Sequence, residues 1–244
     1  MKPLLAQLRA EVAMTLRRGE SLLLALGIPV ILLVFFSAVD VVPMEVAPGE
    51  KRVQFLAPGI LALAVMSSAM VGLAIATAFE RQYGVLKRIG TTPLGRSRLM
   101  LAKIGATVAV EIVQFVVLVG VALLLGWKVT VGGLAGAVAA VVLGTAAFSG
   151  LGLTMAGRLR AEAVLAAANG LYLVLLLVSG MVFALSRMPS WAQTAARWLP
   201  STALADVLRA LLTTETSVPG RAWLVLGLWA VLAPALAARL FRWE

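Results

Sequence analysis

Side chains able to do chemistry are scarce in this chain of 244 residues, and the gaps carry information. There is no His and no Cys, and the only Asp residues are Asp40 and Asp206. Histidine general bases, cysteine nucleophiles and the usual zinc and iron ligand sets are therefore excluded. No G-x-x-x-x-G-K-[ST] stretch is present to cradle a nucleotide phosphate. One carboxylate stands apart. Glu111 is the single charge between Lys103 and Lys128, and Gln114 follows one turn later on the same helical side. With no second carboxylate beside it, Glu111 cannot form the paired magnesium site of a lipid transferase. An ionisable group inside an apolar run is a candidate for a substrate or ion pathway. The alternative is an interfacial carboxylate paired with Lys103, Arg158 or Arg160. Asn169, followed by Gly170, is a further polar interruption, expected to mark a local break or an interhelical hydrogen bond.

The elements that must position these groups are read from the spacing of charge. The chain is 61% hydrophobic and 13% charged, with a mean hydropathy of +1.01. Long windows nearly free of charge lie between Glu20 and Asp40, Arg52 and Glu80, Lys103 and Lys128, Lys128 and Arg158, Glu162 and Arg187, and Arg221 and Arg239. A membrane-crossing helix needs about 20 mainly apolar residues, and a barrel strand only about 10. The windows therefore predict an all-α integral membrane protein, one domain over 1–244, with six transmembrane helices near 21–39, 55–79, 101–126, 134–157, 162–186 and 221–240. The first window exceeds the apolar run of a signal peptide, and no A-x-A-like cleavage site follows it.

Six crossings place both termini on one side. That side carries 14 of the 21 Lys and Arg residues, and the opposite side 7. Cytoplasmic loops hold the excess of Lys and Arg, so both termini are expected in the cytoplasm. The formal charge of +10 is then explained by topology and anionic lipid, not by nucleic acid. Trp127, Trp191, Trp198 and Trp223 fall near the expected outer boundaries, as an aromatic belt would.

The connecting segments have patterns of their own. In residues 3–18, Leu5, Leu8, Val12 and Leu16 recur at helical spacing, which predicts an amphipathic helix on the inner membrane surface. The stretch "FERQYGVLKRIGTTPLGRSRLMLAK" runs from Phe79 to Lys103 with six basic residues and one acid. Phe79, Tyr83, Leu86 and Ile89 fall on one helical face, and Pro93 then breaks the helix. An apolar stripe at the end of two spans suits docking to a soluble partner. Residues 187–215 predict a helical hairpin broken at Pro200, re-entrant or interfacial, with an apolar stripe of Leu204, Val207, Leu208, Leu211 and Leu212. The run "GTAAFSGLGLTMAG", Gly144 to Gly157, predicts close helix packing.

These segments resemble the type-2 ABC transporter permeases, the membrane subunits of daunorubicin-resistance-like exporters. The first resembles the family's E-R-x-x-G-x-L-x-R segment and following proline through Glu80, Arg81, Gly84, Leu86, Arg88 and Pro93, with Lys87 inside it. The second, "SGMVFALSRMPSWAQTAARWLPSTALADVLRALL", resembles the family's C-terminal stretch through Gly180, Pro189, Trp191, Pro200, Thr202 and Arg209. The resemblance implies that residues 80–98 form a coupling segment seated in a groove of a separate ATP-binding cassette ATPase subunit. It implies a pore of two permease subunits, a homodimer more readily than a heterodimer, in a bacterial plasma membrane. ATP and Mg would be bound by the partner subunit, with no cofactor and no catalysis in this chain. The outer loop from Asp40 to Arg52 is short and carries no folded external domain, unlike sterol transporters of the wider group.

An apolar pathway with few aromatics favours a drug-like, antibiotic or lipid-like amphipathic substrate over a sugar, moving outward. Glu111, Gln114 and Asn169 are the pathway candidates. Two other readings stay open at this point: a proton-coupled secondary transporter using Glu111, and a membrane scaffold. A neighbouring gene for an ATP-binding subunit would discriminate among them.

Overall fold

The computed structural model describes residues 7–13, 19–39, 49–90, 96–182, 185–213 and 220–241, and their regular structure is entirely helical. Helix α1 covers residues 7–13. It is followed by α2 (Gly19–Ala38), α3 (Val53–Met66), α4 (Leu73–Gln82), α5 (Val85–Gly90) and α6 (Arg96–Leu124). Then come α7 (Leu134–Arg158), α8 (Ala161–Val178), α9 (Ser190–Ala196), α10 (Pro200–Leu212) and α11 (Gly220–Leu240). A π-helical stretch, Ser67–Gly72, joins α3 to α4, so Val53–Gln82 is one continuous rod of 30 residues.

Among the described residues, five helices are long and apolar enough to cross a membrane: Val53–Gln82, Arg98–Leu124, Val131–Arg158, Ala161–Val178 and Gly220–Leu240. A helix satisfies its own backbone hydrogen bonds, which hydrocarbon cannot do for it. The remaining expected span coincides with α2, 20 residues long, whose described apolar part is Ala25–Ala38.

The centre of the bundle is α3, in which every residue from Phe55 to Met66 is buried. Around it stand α2, α6, α7 and α10. Helix α7 pairs with α11 along its length, and the glycines of the Gly144–Gly157 run explain how. A methyl group added at Gly150 would lie 2.3 Å from the Ala233 carbonyl carbon, and one at Gly157 would lie 2.7 Å from Phe241, just past the end of α11; at Gly144 the close neighbour is Leu204 of α10, at 2.8 Å. Lipid is as apolar as leucine, so close van der Waals packing of small residues is what holds such helices together.

Three expectations of extent are corrected. The span expected over 162–186 ends as a helix at Val178. Gly180, with φ 71°, takes the left-handed position that terminates helices. The apolar residues beyond it, Met181 and Val182, are buried in the core instead of extending α8. Helix α10 is not a one-sided amphipathic helix: besides Leu204, Val207, Leu208 and Leu212, its Ser201, Thr202, Ala203, Ala205 and Ala210 are also buried. It is enclosed by α3, α7 and α11. Trp127, expected in an interfacial belt, is only 4% exposed, whereas Trp191 and Trp198 are 75% and 55% exposed.

Candidate functional site

At the end of α4 the chain turns sharply. Gln82 closes the helix, Gly84 adopts φ 71°, and α5 begins at Val85. The single stripe expected over Phe79, Tyr83, Leu86 and Ile89 is thereby split, because the break rotates α5 relative to α4. Phe79 and Tyr83 stack at 6.1 Å on α4, with Tyr83 70% exposed. Leu86 points the other way, 1% exposed, and packs with Leu99 and Phe241. The Ile89 side chain lies outside the described residues. Inward anchoring of Leu86 leaves Tyr83, Val85, Lys87 and Arg88 as the exposed face. Arg81 donates to the Leu159 carbonyl, and Gln82 Nε2 donates to Glu162 Oε1 at 3.0 Å, tying this corner to the α7–α8 turn. Residues 91–95, Pro93 among them, lie outside the described residues.

Glu80, expected on the docking surface, faces into the protein. Its carboxylate pairs with Lys103 Nζ, and Lys103 also reaches Glu11 Oε1 at 3.2 Å. Gln7 Nε2 donates to the same Glu11 oxygen at 2.9 Å. Lys103 is 3% exposed, so the last residue of the basic stretch is an internal cation between two acids. The junction ties α1, α4 and α6 together, three residues before the Tyr83–Gly84 turn on the α4 side. Helix α1 is correspondingly packed on protein as well as amphipathic: a methyl group at Gly105 of α6 would lie 2.8 Å from Leu8.

Deeper in the bundle, Glu111 is 1% exposed and, among the described residues, meets no basic side chain. The pairings considered with Lys103, Arg158 or Arg160 are not formed. Thr145 Oγ1 of α7 lies 2.7 Å from Glu111 Oε2, and Ser68 Oγ of the π-helical stretch lies 3.3 Å from Oε1. Both hydroxyls also sit over carbonyls of their own helices, Val141 at 2.9 Å and Ala64 at 3.0 Å. The π-helical stretch is what brings Ser68 here. An extra residue in the turn displaces local carbonyls, and a methyl group added at Gly152 of α7 would lie 2.6 Å from the Met70 carbonyl oxygen, so only glycine fits there. Such bulges recur at functional sites. Gln114 is fully buried, donates to the Ala25 carbonyl of α2 at 2.8 Å, and leaves Oε1 without a partner among the described residues. Lys103, Thr107, Glu111 and Gln114 thus form a buried polar stripe along α6.

Asn169 is elsewhere. It is exposed on α8, and its Nδ2 donates to the Leu165 carbonyl of its own helix at 2.8 Å. Among the described residues, neither the local break nor the interhelical bond expected there is present.

At the opposite end, Arg209 gathers the residues of the second motif. Its guanidinium donates to the Gly180 carbonyl at 3.1 Å, lies 3.5 Å from Asp206, and stands 4.0 Å from the Phe55 ring centroid. One side chain so joins α10 to the end of α8 and the start of α3. Gly180 supplies the turn, Pro200 starts α10 at its first position, and Thr202 is buried beside it. Pro189 precedes α9 as its cap, and Trp191 is exposed on that helix.

The residues that sequence reasoning missed are Glu11, Ser68, Thr145 and Phe241, along with the pairing of Lys103 with Glu11 and Glu80. A signal existed for the polar side of α6, since Lys103 and Glu111 are eight residues apart and so fall on one helix face. None existed for the π-helical stretch.

No curated protein matches the chain significantly. The sequence profile of the ABC-2 type transporter family, however, matches residues 4–213, which covers the ionic junction, the buried carboxylate and the Arg209 cluster. The chain therefore belongs to the ABC-2 type transporter family and is a multi-pass membrane permease.

Proposed function

We propose that this permease is the membrane subunit of an ATP-driven exporter, and that α5 with the Tyr83–Gly84 turn is the surface through which it receives its ATPase. Permeases of this family work with ABC ATPase subunits. The observation that carries the reading is the two-sided character of α5: Leu86 is held inside by Leu99 and Phe241, while Tyr83, Val85, Lys87 and Arg88 face outward. A helix fixed on one side and exposed on the other passes a push into the bundle instead of absorbing it. Arg81 and Glu80 hold its base, and Gly84 allows the turn.

In this reading ATP and Mg are bound by the partner, two copies of the permease form the pathway, and α2 completes six crossings with both termini in the cytoplasm of a bacterial cell. The α9–α10 hairpin enters from the outer side and returns. The cargo is an amphipathic or hydrophobic molecule, drug-like or lipid-like, with Glu111 and Gln114 as the polar groups facing it when the bundle opens. Closure of the ATPase pair favours one packing of the helices over the other, which is a population shift driven by nucleotide.

The docking role is tested by the charge reversals Lys87→Glu and Arg88→Glu together, followed by purification of the permease from membranes. Retention of the permease in the membrane with loss of a co-purifying ATPase supports the reading. An ATPase that remains bound at the parent ratio contradicts it. A second reading has one observation in its favour: a buried carboxylate without a basic partner among the described residues, which is the residue a proton-coupled transporter would use.

A further inference from the structure

The last helix, α11, lies beyond the region matched by the family profile, yet it touches both ends of the machinery. At its inner end Phe241 extends the helix through its N–H bond to the Ala237 carbonyl at 2.9 Å. The Phe241 ring packs against three separate buried groups: Leu86 with Leu99, Leu73 with Leu153 and Ala237, and the alanines around Ala74, Ala78 and Ala156. It is seated tightly, since a methyl group at Gly157 would lie 2.7 Å from the ring. Midway along the helix, Trp229 Nε1 donates to the Trp198 carbonyl at 2.9 Å, and at its other end the Arg221 guanidinium stands 4.7 Å from the Trp198 ring centroid. Trp198 is the link between α9 and α10.

We propose that α11 is a rod that couples α5 to the α9–α10 hairpin, with Phe241 as the positioning residue at its inner end and Trp229, midway along it, as the residue that holds the Trp198 link. The proposal rests on the reading of α5 as the docking element. From Arg221 to Phe241 a helix spans about 30 Å, a distance over which it is stiff compared with loops. Its flank is braced along α7, where Gly150 lets Ala233 and Pro234 approach, so the internal proline is supported by a packed neighbour. Leu86 transmits displacement of α5 to the Phe241 ring because packed interiors are close to incompressible. The Trp229 and Arg221 contacts then move the Trp198 link, and with it α10. The covalent route through α4 and α6 carries motion into the bundle centre; the α11 route is what brings the hairpin into the same event.

The test uses the complete permease–ATPase complex with paired spin labels at Trp191→Cys and Leu124→Cys, two exposed positions on α9 and at the end of α6. The chain has no cysteine, so labels attach only where introduced. Mg with a non-hydrolysable ATP analogue changes the distance between the labels in the parent. Phe241→Ala loses most of that change, Phe241→Leu keeps it, and Trp229→Phe, which removes only the N–H donor, also loses it. A full change in Phe241→Ala overturns the proposal, as does a parent that shows none. Should Phe241→Ala fail to assemble, Trp229→Phe decides by itself, and a full change there is equally fatal. A separate label at Val85→Cys reads docking alone. Its immobilisation by the ATPase with an unchanged hairpin response in the variants sinks only the rod, whereas no immobilisation sinks docking and rod together.

Discussion

Lys103 and Glu11 meet at 3.2 Å across the contact between α1 and α6, both nearly excluded from solvent, and Glu80 closes the same cation from α4. An ammonium ion withdrawn from water is tolerated only when paired and hydrogen-bonded. The arrangement therefore ties α1 to the two helices that flank α5 in the sequence, and it makes a charge-sensitive joint near the turn that leads into the proposed docking surface.

Removing the cation should be severe. Lys103→Met leaves two carboxylates facing each other, and breaking a buried pair from one side costs about 3–5 kcal/mol. The expected result is a lower melting temperature in detergent and less protein in the membrane fraction. Adding Glu11→Gln and Glu80→Gln to the same variant should recover much of the loss, because no uncompensated charge remains. A triple variant no better than Lys103→Met would show that packing, not charge, governs the site.

Gly59 makes a steric prediction. A methyl group there would stand 1.9 Å from the Met181 carbonyl oxygen, a backbone atom that cannot rotate away. Gly59→Ala should therefore destabilise by about 1–3 kcal/mol, the usual range for overpacking. At Gly27 an added methyl meets nothing within 4 Å, so Gly27→Ala should melt with the parent. Equal melting of the two variants would count against the packing of α3 on the segment after α8.

Orientation is checked by accessibility. In a chain without native cysteine, Gly49→Cys should react with an impermeant thiol reagent in intact cells, and Tyr83→Cys should react only after the membrane is opened. The reasoning is the 14 to 7 division of Lys and Arg between the two sides. Labelling of Tyr83→Cys from outside would invert the topology.

Much of this architecture is legible in the sequence because hydrocarbon imposes a simple rule: uncharged runs of sufficient length become helices. The rule fails where burial in protein replaces burial in lipid. Met181 and Val182 are as apolar as a span, yet Gly180 ends α8 before them. Helix α10 reads as one-sided because small residues such as Ala203 and Ala205 leave no periodic mark, although they are buried. The site shows the same pattern. Glu111 is conspicuous as a lone charge, but its partners Ser68 and Thr145 are ordinary polar residues whose approach depends on a π-helical turn. Lys103 and Glu80 look like solvated charges until the fold folds them inward. Asn169 looks like a break, and its side chain merely bonds back to its own helix.

The energy source is the claim on which the account stands or falls. The measurement is transport of a cationic amphipathic dye into inside-out vesicles holding the permease and its ATPase, with ATP or a pH gradient as the sole drive. The account predicts uptake that requires ATP and persists when a protonophore collapses the gradient. Glu111→Gln keeps the shape of the side chain, so it should lower that uptake by about tenfold or less, as loss of an interhelical contact worth about 1–2 kcal/mol would. Uptake driven by a pH gradient without ATP, and abolished in Glu111→Gln, would contradict the account and identify a proton-coupled transporter.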